Sequence, residues 1–138
     1  MLNTIGAAVS RSFNLETVLK EAVRKISETL NFDAVWIYEL EPDKGVLYLR
    51  GQIGLSDEVA KAMAERNVES GISGQVIKSG RALILDNVVN DPRYRELTNA
   101  GKIVSLGFQA AAAFPIMVKE NNAGTLHVVS RAKRPFSR

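Results

Sequence analysis

Three groups of residues in this 138-residue chain have types and spacings that can do chemistry. The first is Asp86 and Asp91, two carboxylates that can exchange protons as a pair, with Arg93, Arg95 and Lys102 nearby as cations able to attract an anion. The segment Asn90-Asp91-Pro92-Arg93-Tyr94-Arg95-Glu96 has a simpler use. An aspartate accepts backbone N–H bonds at a helix start, and proline suits the first helical position, so Asp91 reads as the cap of a short helix. The second group is Gly71-Ile72-Ser73-Gly74-Gln75-Val76-Ile77-Lys78-Ser79-Gly80, a glycine-flanked helix start that can receive an anion. Its spacing is neither a Walker loop nor a dinucleotide fingerprint, which leaves a structural turn with Ser73 as a cap. The third is His127, the only histidine. It can ligate haem or exchange protons, but with no second ligand in view it reads as a hydrogen-bonded sheet histidine.

Composition narrows the chemistry further. There is no cysteine, so disulfides, thiolate metal sites, cysteine nucleophiles and thioether-anchored chromophores such as bilins are excluded within these residues. The formal charge is +3, and the basic cluster Arg131, Lys133, Arg134 and Arg138 has no interleaved aromatics. It reads as a solvated flank, with no nucleic-acid partner. The longest apolar stretch, Ala110–Val118, is too short to span a bilayer and holds Pro115, and no charged-then-apolar leader stands at the start. With 46% apolar and 24% charged residues in 138, the expectation is one soluble, cytoplasmic domain with a real core.

The elements that must position these groups follow from periodicity. Leu15, Val18, Leu19, Ala22, Val23, Ile26 and Leu30 form one apolar stripe of a helix that Asn14 caps and Asn31 ends in a left-handed turn. Leu2, Ile5, Val9 and Phe13 repeat at similar spacing, so a separate leading helix is expected, broken over Ser12–Asn14 and usable for core packing or as a dimer seam. Ala34-Val35-Trp36-Ile37-Tyr38 is apolar on both faces, which predicts a central strand covered on both sides. Pro42–Gly45 turns the chain into a returning strand, Val46–Leu49. Ser56 starts a helix ending near Arg66; strands follow at Leu83–Asp86, Gln109–Lys119 and Gly124–Arg131, the last two joined by a turn over Glu120–Gly124. The sum is an α+β domain: a central antiparallel sheet of five to six strands, long N-terminal helices on one face, and short helices and loops on the other.

Gly71-Ile72-Ser73-Gly74-Gln75-Val76, Leu83-Ile84-Leu85-Asp86, Asn90-Asp91-Pro92-Arg93-Tyr94, Ala113-Phe114-Pro115-Ile116, Gly124-Thr125-Leu126 and Arg134-Pro135-Phe136-Ser137, in this order, resemble the GAF domain family of small-molecule sensors. The resemblance runs from about Leu15 to the last residue. It implies a ligand pocket in front of the sheet, roofed by Ser56–Arg66 and Asp91–Gly107, and a non-catalytic role. Such a domain regulates an attached output, such as a histidine kinase, a cyclase, a phosphodiesterase or a transcription activator. The chain is then expected to be the sensor piece of a longer, homodimeric protein whose output lies outside this sequence. A methionine sulfoxide reductase also exists on this fold, but resembles a thiol chemistry that a chain without cysteine cannot supply.

On that basis the candidate ligand-binding residues are Val35, Ile37, Gln52, Asp86, Asp91, Tyr94, Lys102, Ala110, Ala112, Phe114 and His127. Cyclic-nucleotide-binding relatives end the last strand with an Asn-Lys pair; here Ser130-Arg131 stand there, which weakens cyclic GMP or AMP as ligand and leaves the ligand open. Gln109-Ala110-Ala111-Ala112-Ala113 replaces a more polar strand start and leaves room either for a larger, more apolar ligand or for neighbours such as Trp36 to fill. The roof loop Asn99–Gly107 is expected to order when a ligand binds. The alternative function is a ligand-free dimerisation and signal-relay module.

Overall fold

A computed structural model describes residues 4–69, 71–88, 90–95 and 105–132, and side chains within them except those of 4–16, 94 and 95. The first element is a single helix, α1 (Thr4–Leu30), 27 residues long, in place of the two helices expected. Ser12, Phe13 and Asn14 are weak helix formers, yet none is a glycine or proline, and their small propensity costs do not interrupt a helix held by its packed face. Asn31 ends it at φ 57°, its N–H bonded to the Ser27 carbonyl at 3.0 Å.

The sheet has six antiparallel strands in the order β3-β2-β1-β6-β5-β4, formed by β1 (Ala34–Glu41), β2 (Val46–Ile53), β3 (Glu65–Asn67), β4 (Leu83–Leu85), β5 (Ala110–Val118) and β6 (Asn121–Ser130). The short helices are α2 (Asp57–Ala62), α3 (Gly71–Ser79) and α4 (Pro92–Arg95). Ser56 caps α2 by accepting the Val59 N–H at 3.1 Å. That helix stops short of Arg66, because Glu65–Asn67 pair with Val46–Tyr48 as the edge strand β3. The β5–β6 turn is also tighter than expected. Lys119 and Glu120 alone make it, both at positive φ, and Asn121 is already paired with Val118.

Register decides which face each side chain takes. One row across the sheet reads Gln52, Trp36, His127, Ala113, Leu83; the next reads Ile53, Val35, Val128, Ala112, Ile84. Because side chains alternate along a strand, the two rows face opposite ways. Val35, Ile37, Ala112 and Val128 pack with Val23, Leu19 and Ile26 of α1. Trp36, Tyr38, Leu47, Ala111, Ala113 and Val129 pack instead with Met63, with Val59 of α2, and with Val76 and Ile72 of α3. We call these the helix face and the roof face. The join between β1 and β6 depends on Gly124, where a Cβ would lie 2.0 Å from the Tyr38 carbonyl oxygen. Among the described residues, no helix is long and apolar enough to cross a membrane.

Candidate functional site

The roof face carries a buried polar centre built around His127. Its imidazole is 4% exposed. Trp36, its neighbour on β1, stacks on it with ring centroids 5.2 Å apart and planes 9° from parallel, while Tyr38 meets it edge-on at 5.8 Å. His127 Nε2 lies 2.9 Å from Thr125 Oγ1, two residues back on the same strand face, and 3.0 Å from Ser73 Oγ.

Ser73 reaches that position because α3 begins at Gly71, with φ 64°, so Ser73 sits inside the first turn rather than capping it. The next residue, Gly74, lies so close to the preceding chain that a Cβ would fall 2.7 Å from the Val68 carbonyl oxygen. Glycine there lets the first turn press inward and delivers the Ser73 hydroxyl to the sheet.

Burial sets the charge state. Desolvation, with a smaller repulsion from Arg66, pushes the His127 pKa down to about 3, so the ring is neutral near pH 7. A neutral ring whose Nε2 faces two hydroxyls either donates to one or accepts from both. It is a poor general base at neutral pH, since efficient bases have pKa values near the working pH. A Ser–His contact of catalytic length therefore serves here as a hydrogen-bonded anchor. Tyr38 is fixed in the same way: its hydroxyl donates to the Met63 carbonyl at 2.9 Å, and burial pushes its pKa up to about 12 against the opposing pull of Arg66. Arg66 pairs with Leu47, a fully buried roof-face residue, so the guanidinium belongs to this side of the sheet.

The structure divides the sequence-based candidates. His127 and Gln52 share the roof-face row, where the Gln52 Oε1 accepts the Leu55 N–H at 3.0 Å. Val35, Ile37, Ala112 and Phe114 lie in the cluster under α1, and Ala110, two residues from Ala112, shares its side. They are not brought together with His127. An apolar run covered on both faces gives no sign of which residues face which layer; only the pairing of Trp36 with His127 does.

Asp91 caps α4, accepting the Arg93 N–H at 2.9 Å, and its carboxylate is bonded by the Arg93 guanidinium at 2.7 Å, which holds its pKa below the ordinary value. The same guanidinium feels Asp86 and donates to the Ile84 carbonyl at 2.6 Å. Asp91 is thus committed to a cation at the start of α4. The Tyr94 side chain and Lys102 fall outside the described residues, as does the roof loop before residue 105. The residues that sequence reasoning missed are Ser73 in this role, Trp36, Tyr38, Thr125 and Arg66. One signal was available: Trp36 and Tyr38 carry polar tips, and their face of the strand is the one that must offer partners.

No group of three or more His, Cys, Asp or Glu among the described residues can hold a metal ion. At the end of β6, the Ser130 Oγ accepts the Ala132 N–H at 3.2 Å and Arg131 lies over the Phe108 ring at 4.7 Å, so both are engaged within the chain.

Comparison with known proteins places this geometry. The model of the GAF domain matches residues 14–138. The Nif-specific regulatory proteins of Azospirillum lipoferum and Azospirillum brasilense are each 27% identical over 115 residues, covering 83% of this chain and 18% of the relative. The chain thus spans about a fifth of the length of those relatives. The GAF domain of a phosphoenolpyruvate-protein phosphotransferase from Acinetobacter superposes with TM-score 0.73 at 19% identity, covering all of this chain and 84% of that one. The free methionine-R-sulfoxide reductase of Neisseria meningitidis, solved with its substrate, gives 0.72 at 16% identity, over 88% of this chain and 66% of the other. At these identities the two structures speak to the fold alone.

Proposed function

The chain belongs to the GAF domain family, and from that premise we propose that it is a non-catalytic regulatory sensor domain that binds a small molecule on the roof face and controls an attached output domain. The observation that carries the reading is the convergence of a neutral imidazole, two hydroxyls and two aromatic rings on one face of the sheet. Ligand sites combine apolar walls with a few placed polar groups that fix orientation. The kinship with Nif-specific regulatory proteins supports the regulatory part of the proposal. The fold likeness to a methionine sulfoxide reductase does not argue for that activity, because this chain has no cysteine. A cyclic nucleotide is a poor fit to Ser130 and Arg131, each of which has a partner of its own.

Trp36 is the only tryptophan, and it stacks on His127, so its emission reports directly on the site. The test is native mass spectrometry of the freshly purified chain, followed by Trp36 fluorescence against a metabolite library. A retained small mass, or a compound that shifts the emission saturably, supports the sensor. A bare dimer whose emission is indifferent to the library overturns it in favour of a dimerisation and relay module. That second reading has its own support: α1, about 40 Å long at the rise of an α-helix, leaves Val18 at 60% exposure. An exposed apolar residue on a long helix suits a contact with a second copy.

A further inference from the structure

Among the described residues, one buried side-chain oxygen has no hydrogen-bond partner: Oδ1 of Asn87, on the loop between β4 and α4. Buried polar groups are paired in the great majority of cases, because an unpaired one costs more than a bond contributes. The buried polar side chains at the centre of the roof face, Ser73, Thr125 and His127, are bonded to one another. Asn87 is the exception.

The backbone around it is held on both sides. Asn87 stands between Leu85 and Val88, both fully buried in the roof-face cluster. Leu85 is paired with Ala111 of β5, and the Val88 N–H donates to the Gln109 carbonyl at 2.8 Å. Further on, the Asp91 N–H reaches the Val88 carbonyl at 3.4 Å. The nearby guanidinium of Arg93 directs its N–H groups to Asp91 and to the Ile84 carbonyl at 2.6 Å, so it is no partner for Asn87. An amide oxygen accepts only, and this one is sealed from bulk water. Leu85, Val88 and Phe108 share its corner of the cluster, and such surroundings favour a neutral donor over a charged one.

We propose that Asn87 is a specificity-determining acceptor of the roof site, kept without a partner from the chain itself so that a neutral ligand carrying an amide N–H or a hydroxyl donates to it. The proposal rests on the sensor reading and adds the kind of ligand. A ligand that parts the roof to reach this oxygen regains the cost of leaving it unbonded, so binding and opening are coupled.

The test titrates the chain with benzamide, benzyl alcohol and acetophenone, the last having the shape of benzamide and no donor, while recording Trp36 emission and the Asn87 side-chain amide resonances. Aromatic probes suit a face that carries Trp36, Tyr38 and Phe108. Benzamide or benzyl alcohol saturates, the Asn87 resonances shift with it, and acetophenone binds about tenfold more weakly. Benzamide alone assigns an amide, benzyl alcohol alone a hydroxyl compound. In Asn87→Leu the preference for a donor is lost, and the free variant unfolds at a urea midpoint higher by about 0.5 M, because an unpaired buried oxygen has been removed. Asn90→Ala, at an exposed residue of the same loop, changes neither. The proposal is overturned if none of the three saturates by about 10 mM, if acetophenone binds as well as the donors, or if Asn87→Leu keeps the preference. A lower midpoint for Asn87→Leu likewise overturns it, in favour of a structural strut. Failure of the sensor reading looks different: no compound of the metabolite library moves the Trp36 emission, and the proposal falls with it.

Discussion

The helix face and the roof face of the sheet are made by the same strands, yet they differ in kind. Under α1, Val23, Val35, Ile37, Ala112 and Val128 form an aliphatic layer, with Ser130, opposite Ala110, as a buried polar residue on the same face. On the other face, Trp36, Tyr38 and Phe108 surround a polar centre of Ser73, Thr125 and His127. An aliphatic layer stabilises through area and volume and tolerates exchange of one hydrocarbon for another. A buried polar centre gains little net free energy, and it fixes geometry because each donor left without its partner costs more than the bond contributed. The helix face therefore stabilises through area alone, whereas the roof face, which also holds most of the largest buried side chains, fixes particular atoms in particular places as well.

The largest effects should come from the rings. Trp36→Ala removes a side chain that is 2% exposed and is expected to cost about 3–5 kcal/mol in urea unfolding. Ile37→Ala on the helix face should cost about 2–5 kcal/mol by the same cavity argument, yet leave the Trp36 emission of the native state as it was. A shift in that emission equal to the one caused by His127→Gln would show that the faces are not independent.

A smaller and more specific effect is a dependence on pH that only the roof face supplies. The folded His127 pKa of about 3 lies below the ordinary 6.5, so the unfolded chain binds the proton more readily. Its contribution is fully present above pH 6.5 and is lost as pH falls toward 3. Between pH 7 and pH 5 the loss should be about 2 kcal/mol. Because this is the only histidine, His127→Gln should flatten that part of the profile while leaving the carboxylate-driven fall below pH 5. Equal slopes in both proteins would mean that the imidazole is already charged in the fold.

Local signals made much of this architecture legible. The Ser56 and Asp91 caps, the left-handed Asn31 and the Pro42–Gly45 turn rest on contacts within a few residues, and the bonds they make are those expected. What was hidden depends on distant partners. Glu65–Asn67 continues a helix-favouring stretch, and only the exposed edge of β2 turns it into a strand. Ser73 has the look of a cap, and its partner lies 54 residues away on β6. The GAF resemblance supplied the layer order but not the register, so Val35 and Ile37 were grouped with a histidine that faces the opposite way.

The contrast between the faces can be probed with almost no change of shape by exchanging valine and threonine in opposite directions on β6. Val128 is 3% exposed beneath α1, and Thr125 is fully buried on the roof face. The two side chains have nearly the same volume and differ by one hydroxyl, so cavity terms cancel. Val128→Thr places a hydroxyl among the aliphatic side chains of α1 and should cost about 1–3 kcal/mol unless it bonds back to its own strand. Thr125→Val removes one of the two hydroxyls at His127 Nε2 and should cost about 1 kcal/mol, because Ser73 still satisfies that nitrogen. Combining Thr125→Val with Ser73→Ala then leaves Nε2 with neither hydroxyl, and the double variant should lose more than the sum of the single ones. Strict additivity would mean that the hydroxyls act separately and that the roof face is only a core with polar decoration; a coupling of about 1 kcal/mol would mark His127 as the shared centre around which the face is arranged.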